Sequence, residues 1–87
     1  MGLYVVFSTC KASPEKIELY RTEHKEFLEI LRHYKKLLVA GRFSHSEDRL
    51  YIFEAQTLEE ARAISERDPH HTAGLFSFEI REWLQEY

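Results

Sequence analysis

Ser65-Glu66-Arg67-Asp68-Pro69-His70-His71-Thr72-Ala73-Gly74 decides how this chain is read, because it joins the end of a helix to a last strand. Pro69 crowds the residue before it and keeps Asp68 out of the α region, so the helix stops about there. An acid at that end opposes the partial negative charge of a helix C-terminus, which favours Lys, Arg or His. A local rule broken without local gain marks a position to watch for function.

Working backwards, Thr57-Leu58-Glu59-Glu60 is a capping box that opens this helix. Leu58, Ala61, Ile64 and Ser65 fall on its inward stripe, and one further step along the stripe reaches Asp68. Leu50 to Ala55 reads as a strand, Ser44 to Arg49 as a short hairpin connection, and Leu37 to Ala40 as the preceding strand. Gly41 is expected at a bulge or a close backbone approach. Ahead of these, Ser13-Pro14-Glu15 starts a helix whose apolar stripe is Ile17, Tyr20, Phe27, Leu28, Leu31 and Tyr34. His24 falls on that stripe, with Arg21 on the same side. The basic cluster Arg32, His33, Lys35 and Lys36 suits the C-terminal dipole of this helix. Leu3 to Ser8 is a strand with two largely apolar faces, hence central. Downstream, Leu75 to Arg81 is the last strand, with Phe76, Phe78 and Ile80 on one face; Trp83, Leu84 and Tyr87 form an apolar tail.

The resulting order, β-α-β-β-α-β, is the ferredoxin-like α+β pattern: a four-stranded antiparallel sheet with two helices on one face. The other face keeps aliphatic and aromatic residues with no element left to cover them, so a second copy of the chain is the expected cover, giving a homodimer. Residues 1–87 form one domain, 44% apolar and 14% aromatic, which argues against disorder. A net charge of -3 offers no electrostatic reason to bind nucleic acid or an anionic membrane. The single cysteine, Cys10, has no internal disulfide partner, and no stretch near the start has the charge and length of a signal peptide or membrane span. A soluble cytoplasmic protein is the expectation.

His24 and Asp68 sit on inward stripes of two helices that share a sheet face, so they are candidates to meet. A carboxylate beside an imidazole selects its tautomer, orients the ring and favours the charged form, which makes a general acid or base. Arg21, one turn from His24, is a candidate to bind an anionic substrate group. His45, His70 and His71 lack the spacing of a metal motif, and neither a metal nor a cofactor is expected. Cys10 has no evident base beside it and reads as an unreactive thiol. The rival class is RNA binding in the manner of an RRM, with Tyr4, Tyr51 and Phe53 as stacking residues. Arg49-Leu50-Tyr51-Ile52-Phe53 lacks the glycine of that motif, and the chain is acidic.

Arg21-x-x-His24, Ala40-Gly41, and Asp68-Pro69 followed by Ala73-Gly74-Leu75 together resemble the YciI-like (YCII-related) family, as do Leu3-Tyr4-Val5-Val6 and Glu79-Ile80-Arg81-Glu82-Trp83. The resemblance spans nearly the whole chain. It implies a dimeric α+β barrel with a His–Asp dyad at His24 and Asp68, and a small-molecule lyase or isomerase, dehydrochlorinase-like or muconolactone-isomerase-like. Arg42 and His70 depart from the family pattern, where Pro and an aromatic residue are usual. A non-catalytic ligand-binding or structural dimer is the alternative.

Overall fold

At the centre of the computed structural model, which describes all 87 residues, lies strand β1 (Gly2–Cys10). It is followed by helices α1 (Pro14–Leu19) and α2 (Arg21–His33), the hairpin β2 (Leu37–Arg42) and β3 (Arg49–Ala55), helices α3 (Leu58–Glu66) and α4 (Pro69–Thr72), and β4 (Phe76–Trp83). The sheet order is β2-β3-β1-β4 with every neighbour antiparallel, which is the ferredoxin-like arrangement.

The alternation of β1 splits its side chains cleanly. Tyr4, Val6 and Ser8 point beneath the helices and are buried, whereas Leu3, Val5 and Phe7 point to the opposite, uncovered face. Beneath the helices, Val6, Tyr51, Phe53 and Ile64 form the main core, with Phe27, Leu28, Leu31 and Phe78 packed against it. Each such side chain contributes about 1.5–3 kcal/mol when fully buried. A satellite cluster of Ile17, Leu75 and Phe76 anchors α1 to the start of β4.

Ser13 caps α1 by accepting from the Lys16 amide, and Thr57 caps α3 by accepting from the Glu60 amide at 3.1 Å. The long first helix expected from the periodicity is broken at Tyr20, whose backbone (φ -109°, ψ 8°) leaves the helical path. The break lets Ile17 face the α1 cluster and His24 face the sheet; a straight helix would leave Tyr20 on the inward stripe, but it is substantially exposed.

Three other expectations are corrected. The bulge of β2 falls at Leu38, between Leu37 paired with Phe53 and Val39 paired with Ile52. Gly41 is a regular partner of Leu50, and a Cβ there would meet nothing within 4 Å. The last strand runs through Trp83, which therefore belongs to the sheet rather than to a tail.

The third correction concerns Tyr4, Tyr51 and Phe53. All three lie under the helices, 4%, 1% and 1% exposed, so they offer no stacking platform for bases. What the uncovered face presents is Leu3, Val5, Phe7, Leu50, Ile52 and Trp83, with Glu54, Glu79 and Arg81 among them. No helix is long and apolar enough to cross a membrane.

Candidate active site

Asp68 is the hub of the site. Helix α3 ends at Glu66, and Asp68 (φ -62°, ψ 126°) is the extended residue that Pro69 demands. It does not close α3, however. It opens α4 as N-cap, its Oδ1 accepting from the His70 amide at 2.9 Å. An acid is favourable at a helix start, so the broken rule read from the sequence is not broken.

The same Oδ1 accepts from His24 Nδ1 at 2.8 Å, and both side chains are buried. A carboxylate can only accept, so Nδ1 carries the proton and Nε2 of the neutral ring is an acceptor. Nε2 is met by the Tyr51 hydroxyl at 3.2 Å. Burial, and after it the Asp68 charge, push the Tyr51 phenol far above its ordinary value, so it stays protonated and donates to the imidazole. Burial on its own would raise the Asp68 carboxyl, but the hydrogen bond from His24, the His24 charge and the His70 amide outweigh it and hold the acid below its ordinary value. The outcome is a directed chain: Tyr51 O–H to His24 Nε2, then His24 Nδ1–H to Asp68.

His70 lies flat against His24, with ring centroids 3.7 Å apart and planes 9° from parallel, and rests on Phe76 at 4.6 Å. Neither of its ring nitrogens has a hydrogen-bond partner although the residue is buried. Burial first, then the charge of His24, lower its pKa to about 4, so at neutral pH it is an uncharged plate that fixes the plane of His24. His71 turns the other way. Its Nδ1 donates to the Ser65 carbonyl at 2.7 Å and its Nε2 accepts from the Ser8 hydroxyl at 2.8 Å, which fastens α4 to the C-terminal part of β1.

Arg21 does not reach the dyad with its charge. Its Nε is held by Glu18 at 2.6 Å on a largely exposed side chain, although Arg21 does line a small hollow of about 40 Å³ with His24 and His70. Donor atoms of His24, Asp68 and His70 lie within 4.8 Å of one another, a set that omits His45 and His71. Cys10 is spent on the Ala12 carbonyl, which its Sγ meets at 3.3 Å.

Beside the imidazole lies a pocket of about 140 Å³, walled by His24, Tyr51, Leu28, Gly41, Arg42 and Arg49. Tyr51 and Arg49 are the functional candidates that sequence reasoning missed. Tyr51 stands two residues after Arg49 on one face of β3, and that spacing, with His24 on a facing helix, was the available signal. The larger hollows lie elsewhere. One of about 450 Å³ between α2 and α3 is apolar, with a Lys36–Glu60 ion pair at its rim; another of about 300 Å³ sits on the uncovered face by Val39 and Phe43.

Two solved structures share this fold. The 5-chloro-2-hydroxyhydroquinone dehydrochlorinase of Burkholderia phenoliruptrix AC1100, solved with 2,5-dihydroxybenzoquinone, superposes with a TM-score of 0.80 at 21% identity, over 95% of this chain and 94% of its own. Muconolactone isomerase gives 0.79 at 16% identity, over 97% and 90%. By sequence, the uncharacterised protein YjpA of Bacillus subtilis (strain 168) is 40% identical over 60 residues, 69% of this chain and 71% of YjpA. Residues 2–84 match the YCII-related domain, and the chain belongs to that family.

Proposed function

We propose that this chain is a small-molecule enzyme of lyase or isomerase type that moves a proton, with His24 as general acid and base and Asp68 as its positioning and charge partner. The observation that carries this reading is the buried chain Tyr51–His24–Asp68 ending at a ring-sized pocket. Both nitrogens of His24 are occupied, so the group that faces a substrate is the Tyr51 oxygen together with the edge of the imidazole.

A proton on carbon beside a conjugated carbonyl passes to the Tyr51 oxygen as the tyrosine's own proton passes to His24 Nε2. The tyrosine ends as it began. The imidazolium that forms lies 2.8 Å from the Asp68 carboxylate, which offsets its charge in a buried setting. The electron pair left on the substrate either expels a leaving group such as chloride, a lyase outcome, or takes the proton back at another carbon, an isomerase outcome. That two proteins of the same fold are a dehydrochlorinase and an isomerase supports this class of reaction.

The working unit we infer is a homodimer closed through the uncovered sheet faces. Phe7, Val39 and Trp83 there are 39%, 51% and 42% exposed, and share the face with Leu3, Val5, Leu50 and Ile52.

Two measurements test the reading. Ring ¹⁵N shifts of His24 should show one dominant tautomer, protonated at Nδ1, and a mixture in Asp68→Asn. With chlorinated hydroxyquinols and unsaturated lactones as the substrate screen, His24→Ala should lower turnover by about 10²–10⁴-fold. An unchanged tautomer in Asp68→Asn, or undiminished turnover in His24→Ala, would overturn this mechanism.

A further inference from the structure

We infer that Arg42 and Arg49 form an anion subsite at the mouth of the His24 pocket, selecting substrates that carry a carboxylate or equivalent oxyanion on a single planar ring. The inference rests on the acid–base reading above and adds the substrate's charge and size.

Arg42 on β2 and Arg49 on β3 are paired directly across the antiparallel ladder. Like charges so placed repel and destabilise a hairpin. Both follow the helix-side alternation, since Ala40 pairs with Tyr51 on the same face, and both reach the pocket walled by His24 and Tyr51.

Their forks are held in place by the connecting loop. Arg42 Nη1 donates to the Ser46 carbonyl at 3.0 Å and forms no ion pair. Arg49 Nε donates to the Glu47 carbonyl and Nη2 to the Glu47 carboxylate, each at 3.0 Å, while its Cζ lies 5.9 Å from the Phe76 ring. The other acid of this loop, Asp48, is engaged elsewhere, capping the Cys10 amide at 2.8 Å. One loop acid thus serves two guanidiniums, and at the pocket mouth Arg42 has no acidic partner and keeps free N–H donors. Planar guanidinium forks match the geometry of carboxylate oxygens.

Size sets the other limit. The pocket holds about 140 Å³, close to the roughly 150 Å³ cavity that accommodates benzene. Leu28 supplies an apolar wall, and Ala40, on the face of Tyr51, presents only a methyl group to the pocket. A one-ring anion therefore fits with its charge against the arginines and its ring beside the imidazole and phenol.

Benzoate and its neutral isostere benzamide are the probes, titrated into the folded chain while backbone amides and the His24 and Tyr51 ring signals are followed by NMR. Benzoate is expected to shift signals of His24, Tyr51 and Gly41 and to bind about tenfold or more tightly than benzamide. Arg42→Gln and Arg49→Gln should each weaken benzoate about ten- to a hundredfold, the worth of a charge-assisted hydrogen bond, and leave benzamide unchanged. Arg49→Lys, which keeps charge without the fork, should fall between, and Arg81→Gln on the uncovered face should match the wild type. Equal binding of the two probes, no benzoate binding in the millimolar range, or undiminished affinity in both Gln variants would each overturn the subsite. The His24 tautomer, read from the same spectra, separates the two ideas. An intact Nδ1–H tautomer without benzoate binding removes the subsite and leaves the dyad.

Discussion

Acid should destabilise this protein through His70 before it reaches any carboxylate, and the size of the effect follows from the site. The folded chain holds His70 at about 4, against 6.5 for an exposed imidazole. A base whose folded value is depressed contributes stability that is complete above its unfolded value and is lost as the pH falls from 6.5 towards 4. Over the whole window, at about 1.36 kcal/mol per pH unit, the loss is about 3 kcal/mol; between pH 7 and pH 5 it is about 2 kcal/mol. Asp68 acts lower. Its carboxyl is held below its ordinary 3.8, so its share of stability is present above that value and is lost only beneath it. His70→Phe keeps a flat ring between His24 and Phe76 but removes the titrating group. Urea unfolding of both proteins at pH 7 and pH 5, at one protein concentration, isolates the term. Any packing cost of the larger ring cancels in the pH difference. The wild type should lose about 2 kcal/mol more than His70→Phe between the two pH values. Parallel losses, within about 0.5 kcal/mol of each other, would refute the buried, neutral assignment of His70.

Two further outcomes follow from the same geometry. Asp68→Ala strands the His24 Nδ1 proton and the His70 amide together, so it should cost about 2–4 kcal/mol by chemical denaturation at pH 7, whereas Asp68→Asn should cost less by retaining a cap. Phe7→Glu places a charge on the uncovered face between Leu50 and Glu79, and sedimentation should show it dissociating a wild-type dimer by about a hundredfold or more in Kd, while far-UV circular dichroism stays unchanged. A monomeric wild type would remove the dimer from the proposal.

The parts of the fold legible in the sequence were those written in local chemistry. Ser13-Pro14 and Thr57-x-x-Glu60 mark helix starts because a side-chain oxygen satisfies a free amide wherever the chain goes next. The inward phase of Ala61, Ile64, Ser65 and Asp68 is a matter of helical period, and so is that of His24, which is why two residues 44 apart in sequence could be suspected of meeting. What was not legible depends on register and tertiary fit. Nothing at Tyr20 breaks a helix locally; the break exists because Ile17 and His24 are drawn to different neighbours. Asp68 looked misplaced because a four-residue helix after Pro69 is too short to announce itself. The opposed pair Arg42 and Arg49 needed the β2–β3 register, and Leu38 bulges out of it without a glycine to signal the fact.

A single oxygen, Asp68 Oδ1, receives both the His70 amide and the His24 ring. That sharing turns a main-chain proton into a gauge of the imidazole's anchorage. Loosening the carboxylate exposes the His70 amide to solvent deuterium at the same moment that it frees the ring. Exchange at this one amide therefore reports how often the dyad comes apart, in a protein for which no substrate has to be in hand.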